Sequence, residues 1–277
     1  MSLAVRNPRP RTDWAGVLSH AAAIVLSYTT RVTLRQLFYR LVADGTLPNT
    51  PTAYKQLSAK TAESRRAGTF PDLTDLNRTI HRRLWFDGRN DALDWLRGVY
   101  RRDRTEFMDV SVYIGVEKAG LVAQLDAWFE ERGLPVLALS GFASQSYVKQ
   151  IVRDAEEWGR PAVLLYAGDY DPSGEDIPRD FILRTGCWQR VVRVALTAEQ
   201  VEVFNLPKAL GKASDSRAAA FEARHGELVQ VELDALPPDV LRELFERALA
   251  EFWDESKYQR SLVREQADRQ QLFGTDE

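Results

Sequence analysis

Residues 162–174 read Ala-Val-Leu-Leu-Tyr-Ala-Gly-Asp-Tyr-Asp-Pro-Ser-Gly, an apolar run followed by two aspartates and a turn sequence. A continuous apolar run of this length is typical of a buried strand, and Pro-Ser-Gly is typical of a tight turn into a helix. Asp169 and Asp171 are two residues apart, so in extended chain their side chains lie on the same side. An earlier apolar run, residues 112–116, also ends in an acid, Glu117. The sequence therefore predicts an acidic residue at the end of each of two strands.

Apolar runs and amphipathic stretches alternate along the second part of the chain, over residues 109–255. Strands separated by single helices predict an α/β domain with a mostly parallel, Rossmann-like sheet that is covered on both faces. Residues 256–277 are strongly polar and are predicted to form a fraying C-terminal tail. The predicted strands are 111–116, 135–139, 161–167, 190–196 and 229–233, and the predicted helices are 118–131, 144–158, 173–184 and one that begins at Pro238.

The first part of the chain, residues 1–108, has a helical pattern. Asp13 and Thr33 are suitable N-caps for the first two helices. The third helix is followed by a hairpin-like piece bounded by Gly and Pro, residues 67–71. Three short helices and such a piece are typical of a helix-turn-helix or winged-helix module, so we predict a winged-helix-like domain with a helical connector over residues 72–108. The predicted helices cover residues 14–27, 34–43 and 53–66.

The charge of the chain is distributed unevenly. Residues 1–110 contain 18 Lys and Arg against 11 Asp and Glu, whereas residues 111–277 contain 19 Lys and Arg against 29 Asp and Glu. A basic region followed by an acidic one suggests a nucleic-acid-binding module joined to a metal-binding module. The alternative is a chance excess of arginine on solvated helices.

The cysteine, histidine and hydropathy patterns exclude several classes of protein. A single cysteine, Cys187, excludes an internal disulfide and a cysteine-based zinc site. The three histidines are scattered and give no metal-binding spacing. The longest apolar stretch near the start, residues 21–28, is too short to cross a bilayer. We therefore predict a cytoplasmic protein.

The acidic residues at the predicted strand ends suggest a metal site. In an open α/β sheet, ligands bind beyond the carboxyl ends of the strands, where Glu117, Asp169 and Asp171 would meet. Three converging carboxylates repel one another unless a cation neutralises them. Oxygen ligands favour Mg²⁺, with Mn²⁺ as a possible substitute, and the ion would bind phosphate oxygens. The alternative is that the two aspartates only cap the following helix.

The predicted second helix contains a candidate nucleophile, Tyr39. At about 100° per residue, Tyr39 lies about 130° from the middle of the apolar stripe of this helix, and Arg35 lies one turn earlier on the same side. A tyrosine off the core face could attack a phosphodiester while the arginine holds the phosphate. The alternative is an ordinary half-exposed tyrosine. On the third helix, four basic side chains are candidates for phosphate contacts: Lys55, Lys60, Arg65 and Arg66.

Two motifs carry a resemblance to a known family. Glu117, followed by Asp169-Tyr170-Asp171-Pro172-x-Gly174, resembles the Toprim metal site of topoisomerases, bacterial primases and some nucleases. More narrowly, the aspartate motif behind a helical basic domain resembles the A subunit of type IIB topoisomerase (topoisomerase VI), with the meiotic double-strand-break transesterase and mini-A proteins. Residues 35–39 are similar to the family's Arg-x-x-Tyr-Tyr motif, with Phe38 in place of the first tyrosine. Residues 232–236 resemble a Glu-Leu-x-Ala-Leu stretch late in the family's Toprim domain.

The resemblance covers roughly residues 30–245 and implies a function. It implies a winged-helix domain with Tyr39 as the catalytic residue, a Toprim domain that binds Mg²⁺, a homodimer, and a separate ATPase or regulatory subunit. No Gly-x-x-x-x-Gly-Lys-Ser/Thr motif is present in the chain itself.

The sequence therefore predicts Mg²⁺-dependent cleavage of double-stranded DNA by a tyrosine transesterase that forms a 5′-phosphotyrosyl link, in a nucleoid-associated protein. Arg35 and Lys118 would steady the scissile phosphate, and Glu117 would act at the metal. One alternative is a Toprim nuclease in which metal-activated water is the nucleophile and Tyr39 is structural. A second alternative is a non-catalytic DNA-binding module.

Overall fold

The computed structural model describes residues 12–28, 32–73, 83–210 and 215–274. The chain separates into two compact units, residues 1–74 and residues 75–277. The sequence predicted the boundary after residue 108. The structure places it earlier because the described part of the connector, residues 83–108, makes its contacts with the C-terminal part of the chain.

The described residues of the first unit form three α-helices: α1 (Trp14–Ser27), α2 (Leu34–Ala43) and α3 (Pro51–Arg66). The predicted caps are confirmed. Asp13 accepts hydrogen bonds from the first turn of α1, and Thr33 forms a reciprocal capping box with Gln36 at the start of α2. The apolar stripes of the helices form the core of the unit, which includes Val17, Ala21, Leu37, Leu41 and Leu57.

The predicted wing is not seen in the described part of this unit. Residues 67–73, which include the hairpin-like piece, form no strand, and residues 74–82 lie outside the described ranges. The described residues of the unit therefore show a three-helix arrangement, and a winged-helix domain stays a prediction.

The second unit is built on the predicted parallel sheet. Its strands β1 (Ser111–Val116), β2 (Val136–Ala138), β3 (Ala162–Ala167) and β4 (Trp188–Ala195) are all parallel and lie in the order β2-β1-β3-β4. Every residue of the two central strands is buried, as their continuous apolar sequences require. Two short strands, β5 (Ala209–Leu210) and β6 (Val229–Gln230), form a separate antiparallel pair.

Helices cover both faces of the four-stranded sheet. Residues of the helices 145–158 and 172–185 form one core cluster with Tyr113, Leu164 and Tyr166. The helices 122–129 and 238–249 pack on the other side, where the rings of Phe129 and Phe245 are in contact. None of the helices in the described ranges combines the length and apolar character that a bilayer crossing requires. The helices of this unit are α4 (Arg89–Val99), α5 (Val122–Phe129), α6 (Gln145–Trp158), α7 (Pro172–Thr185), α8 (Ala198–Val203), α9 (Ala218–His225), α10 (Pro238–Leu249) and α11 (Glu255–Phe273).

The C-terminal segment differs from its prediction as a fraying tail. It forms α11, which Asp254 caps, and this helix is ion-paired to the segment before the sheet. The carboxylate of Glu265 is only 5% exposed. It accepts hydrogen bonds from Arg104 Nη2 at 2.7 Å and from the backbone N–H of Arg102 at 3.0 Å. Arg102 also pairs with Asp268 at 2.6 Å. Ion pairs between residues that are far apart in the sequence thus stabilise α11, which has little apolar surface.

We expect Glu265→Gln to lower the free energy of unfolding by about 2–4 kcal/mol, because Arg104 loses its buried partner. Burial alone would raise the pKa of Glu265, but the hydrogen bonds from Arg104 and Arg102 hold this pKa below its ordinary value of 4.5. The stabilisation is therefore present above about pH 4.5 and is lost as the pH falls through the lower, folded-state pKa. Urea unfolding at neutral and acidic pH measures both effects.

Glu131→Gln is the matched control, because Glu131 also pairs with Arg104 but its side chain is 65% exposed. An exposed pair contributes less than about 1 kcal/mol, so this variant should unfold almost like the wild type. Equal losses of stability in the two variants would contradict the account of α11.

Candidate metal centre

The carboxyl ends of β1 and β3 bring the predicted acidic residues to one edge of the sheet. Val116 and Ala167, the last residues of the two strands, are direct partners in the parallel register. Glu117 and Gly168 follow them, and the backbone N–H of Asp169 donates to Glu117 Oε2 at 2.8 Å. Register alone therefore makes residues 52 positions apart in sequence contact each other.

Two glycines provide the space for the Glu117 carboxylate. A Cβ on Gly168 would come within 2.9 Å of Glu117 Oε2, and a Cβ on Gly174 would come within 3.2 Å of the same atom and clash with the carbonyl oxygen of Asp169. Gly168 and Gly174 are therefore required by close approach of a carboxylate and of the backbone. The two glycines of the predicted strand–turn–helix segment form the wall of the acidic site.

Asp169 is a buried carboxylate that folding places in an unfavourable environment for a negative charge. The residue is only 7% exposed. Burial, partly offset by the nearby ammonium of Lys118, raises the pKa of Asp169 to about 7. Burial also raises the pKa of Glu117, and the charge of Asp171 adds to this effect. Burial thus makes the charged forms of both carboxyl groups costly at this edge.

Asp171 caps the helix that follows it, as the alternative to a metal site predicts. Its Oδ1 accepts a hydrogen bond from the backbone N–H of Gly174 at 2.7 Å and so caps α7. Asp169 does not cap this helix, because its Oδ1 accepts instead from the backbone N–H of Leu233 at 2.7 Å. The cap alternative therefore describes Asp171 and does not explain Asp169.

Lys118 is held by carboxylates from two segments of the chain. Its Nζ lies 3.2 Å from Asp169 Oδ1 and 3.1 Å from Asp234 Oδ2, and it also donates a short hydrogen bond to Glu232. Burial alone would lower the pKa of Lys118, but the three carboxylates together raise it above its ordinary value. An ammonium group thus stands among the carboxylates of the site.

Glu232 and Asp234 reach the site because residues 231–234 run beside the aspartate loop. Tyr170 and Val231 exchange two backbone hydrogen bonds, of 2.9 and 3.0 Å, as an isolated antiparallel bridge. In the sequence, residues 232–236 stand out only by a resemblance, which assigns no role to these acids. The Glu-Leu-x-Ala-Leu pattern was the sequence signal that could have pointed to these two acids.

Arg193 supports the aspartate loop from β4, and sequence reasoning missed it. Its guanidinium donates to the carbonyl oxygens of Asp169 at 2.7 Å, Gly174 at 2.9 Å and Leu196 at 2.8 Å. The bonds to Asp169 and Gly174 hold the loop that carries the carboxylates. No local sequence pattern distinguishes this arginine from others on an exposed edge strand.

Within the described ranges, no three His, Cys, Asp or Glu side chains stand in an arrangement ready to hold a metal ion. The reason lies in the contacts above, because Lys118 and backbone N–H groups engage oxygens of Glu117, Asp169 and Asp171. The donor chemistry nevertheless suits a hard divalent cation. Five carboxylates meet near one edge with two cationic side chains: Glu117, Asp169, Asp171, Glu232 and Asp234 with Lys118 and Arg193.

No protein-family model matches the sequence. None of the curated proteins matches it significantly. We therefore infer this site from its geometry and charge.

The candidate nucleophile Tyr39 lies in the first unit and is more buried than predicted. The sequence placed it off the core face, but the residue is only 9% exposed. Its ring contacts that of Phe38 with centroids 5.5 Å apart, and Phe38 in turn contacts Tyr54. Because α2 packs against both α1 and α3, residues on the flank of its apolar stripe are covered as well. Arg35, by contrast, is exposed.

The four basic residues of α3 do not form one continuous surface. Lys55 and Arg66 are exposed and lie about 20° apart around the helix, since eleven residues make about three turns. Lys60 pairs with Glu63 at 2.9 Å, and Arg65 Nε donates to the carbonyl oxygen of Thr61 at 3.3 Å. Lys55 and Arg66 are therefore the better candidates for contacts with phosphates.

Proposed function

We propose that this protein cleaves DNA in a Mg²⁺-dependent reaction and is related to the A subunit of type IIB topoisomerases. The observation that carries the proposal is the position of half-buried Glu117 and buried Asp169 at the carboxyl edge of a parallel sheet, where the backbone N–H of Asp169 donates to the Glu117 carboxylate. This is the position at which open α/β sheets bind ligands.

Glu117, Asp169 and Asp171 would hold the ion, which is Mg²⁺ or, in its place, Mn²⁺. The fit is supported by all-oxygen donors, by the glycine wall that leaves room for Glu117, and by the raised pKa values of Glu117 and Asp169. When bound, such an ion binds phosphate oxygens and stabilises the charge that develops during phosphoryl transfer. Arg193 holds the loop in place, and Lys118 supplies a positive charge for the scissile phosphate.

The resemblance assigns the nucleophile to Tyr39, with Arg35 beside the phosphate. In that reaction the tyrosine oxygen bonds to phosphorus, the P–O3′ bond breaks, and the leaving 3′ oxygen takes up a proton. The product carries the protein on a 5′ phosphate. Lys55, Lys60, Arg65 and Arg66 are proposed to contact the DNA backbone. A homodimer and a separate ATPase or regulatory subunit belong to the same proposal.

Hydrolysis by water is the second candidate, and the burial of Tyr39 favours it. Only 9% of the residue is exposed, so a phosphodiester has little access to its side chain. A water molecule at the carboxylate site does not depend on this access. The two candidates differ in whether the cut DNA carries protein.

We expect Tyr39→Phe to abolish covalent DNA attachment if the tyrosine is the nucleophile. The measurement is cleavage of supercoiled plasmid with Mg²⁺ or Mn²⁺, stopped with detergent and analysed with and without protease. Tyr54→Phe is the control, because Tyr54 packs in the same aromatic cluster of the first unit and should retain the activity. Free DNA ends that persist in Tyr39→Phe and disappear in Asp169→Asn would instead establish hydrolysis.

A further inference from the structure

The hydroxyl of Tyr166 is buried beside the candidate metal centre. Tyr166 lies on β3 and is 2% exposed. Its Oη has no hydrogen-bond partner among the described residues. Buried hydroxyls in native proteins are nearly always hydrogen-bonded, and those without a protein partner commonly bind water. The side chain therefore indicates a ligand or water position that the protein atoms leave unsatisfied.

The absence of a side chain at Gly168 leaves room for this hydroxyl. A Cβ on Gly168 would clash with Tyr166 Oη and would also come within 2.9 Å of Glu117 Oε2. The hydroxyl and the carboxylate thus face the same small space, which a side chain at position 168 would fill. On the ring face, the guanidinium of Arg193 lies 5.6 Å from the ring centroid.

The chemistry of the two groups defines what this space accepts. A tyrosine hydroxyl keeps its proton at neutral pH and donates a hydrogen bond, whereas a carboxylate only accepts. A water molecule satisfies both, because it accepts from one and donates to the other. Mg²⁺ in proteins usually retains several of its waters, and groups that hold those waters tune its affinity.

We propose that Tyr166 is a positioning residue of this centre, whose hydroxyl donates to a water of the cation's hydration shell that Glu117 also binds. This inference rests on the proposed function, because it requires a divalent cation at Glu117, Asp169 and Asp171. The Tyr166 hydroxyl then raises the affinity for the cation. In the metal-free protein the same hydroxyl is unsatisfied and lowers the stability.

The test compares Tyr166→Phe with Tyr113→Phe in the full chain. Tyr113 is a matched control, since it is 1% exposed on the neighbouring strand and its Oη already donates to Asp154 at 2.6 Å. Mn²⁺ titration followed by electron paramagnetic resonance gives the affinity, and thermal unfolding without metal gives the stability. We expect Tyr166→Phe to weaken Mn²⁺ binding about tenfold and to leave the metal-free Tm unchanged or higher. Tyr113→Phe should lower the Tm and leave Mn²⁺ affinity within about twofold of the wild type.

Three results would overturn the inference. If Tyr166→Phe binds Mn²⁺ as tightly as the wild type, the hydroxyl holds only a structural water. If the same variant loses affinity and metal-free stability together, the hydroxyl supports the fold rather than the ion. If the wild type itself binds no Mn²⁺, the proposed function fails, and the role of Tyr166 fails with it. Binding by the wild type separates the first two results from the third.

Discussion

Asp169→Asn is expected to reduce Mg²⁺-dependent DNA cleavage by about 10³-fold or more, because it removes the buried charge that the cation would neutralise. The substitution keeps the shape of the side chain and an acceptor for the backbone N–H of Leu233, which now bonds Asp169 Oδ1 at 2.7 Å. The fold should therefore survive. The measurement is plasmid cleavage over a range of Mg²⁺ concentrations.

The stability of this variant provides a second, independent readout. Because burial raises the pKa of Asp169 to about 7, the metal-free wild type is most stable when this group is protonated. That contribution is fully present below the unfolded-state pKa, about 4, and is lost as the pH rises through about 7. Asp169→Asn should flatten this dependence and remove the stabilisation that Mg²⁺ gives at pH 8.

Asp180→Asn is the control for Asp169→Asn. Asp180 lies on α7 and pairs with Arg184 at 3.3 Å within its own helix. We expect the control to retain cleavage and the pH dependence of the wild type. A fully active Asp169→Asn variant would contradict the assignment of this residue to the metal centre.

Lys118→Met should separate the stability of the site from its cation affinity. Without the ammonium group, Asp169, Glu232 and Asp234 lose the cation that they share, and the metal-free protein should lose about 3–5 kcal/mol. Removal of this competing positive charge should strengthen Mn²⁺ binding about tenfold. Cleavage should nevertheless fall about 100-fold, because Lys118 is proposed to hold the scissile phosphate.

Lys257→Met is the matched control for this lysine. Lys257 Nζ lies 2.6 Å from Asp109, whose side chain is 86% exposed, so the pair should contribute less than about 1 kcal/mol. Thermal unfolding and Mn²⁺ titration of both variants check the prediction. Weaker Mn²⁺ binding by Lys118→Met would show that the ammonium supports the cation rather than competing with it.

Much of the fold of the second unit follows from local sequence patterns. The continuous apolar runs predict β1 and β3, and the alternation of strands with single helices predicts their parallel pairing. Because the carboxyl ends of parallel strands lie at the same edge of a sheet, the sequence also predicts that Glu117 lies near Asp169. In the first unit, the capping residues Asp13 and Thr33 correctly predict the starts of two helices.

The structural features that the sequence did not predict depend on contacts between distant segments of the chain. The last helix has a polar sequence, and its stability comes from buried partners such as Glu265, which no periodicity reveals. Arg193 and Asp234 enter the site from β4 and from the segment after β6. Tyr39 is buried because neighbouring helices cover the flank of a stripe that looks exposed in isolation. Each of these positions is determined by tertiary packing rather than by local pattern.

Titration of the wild-type chain with Mn²⁺ measures whether the acidic edge binds a divalent cation. Electron paramagnetic resonance distinguishes free from bound Mn²⁺. We expect one bound Mn²⁺ per chain, displaced by excess Mg²⁺ and absent in Asp169→Asn. A free Mn²⁺ signal in the wild type as large as in Asp169→Asn at every ratio would contradict the metal centre, and the proposed cleavage chemistry with it.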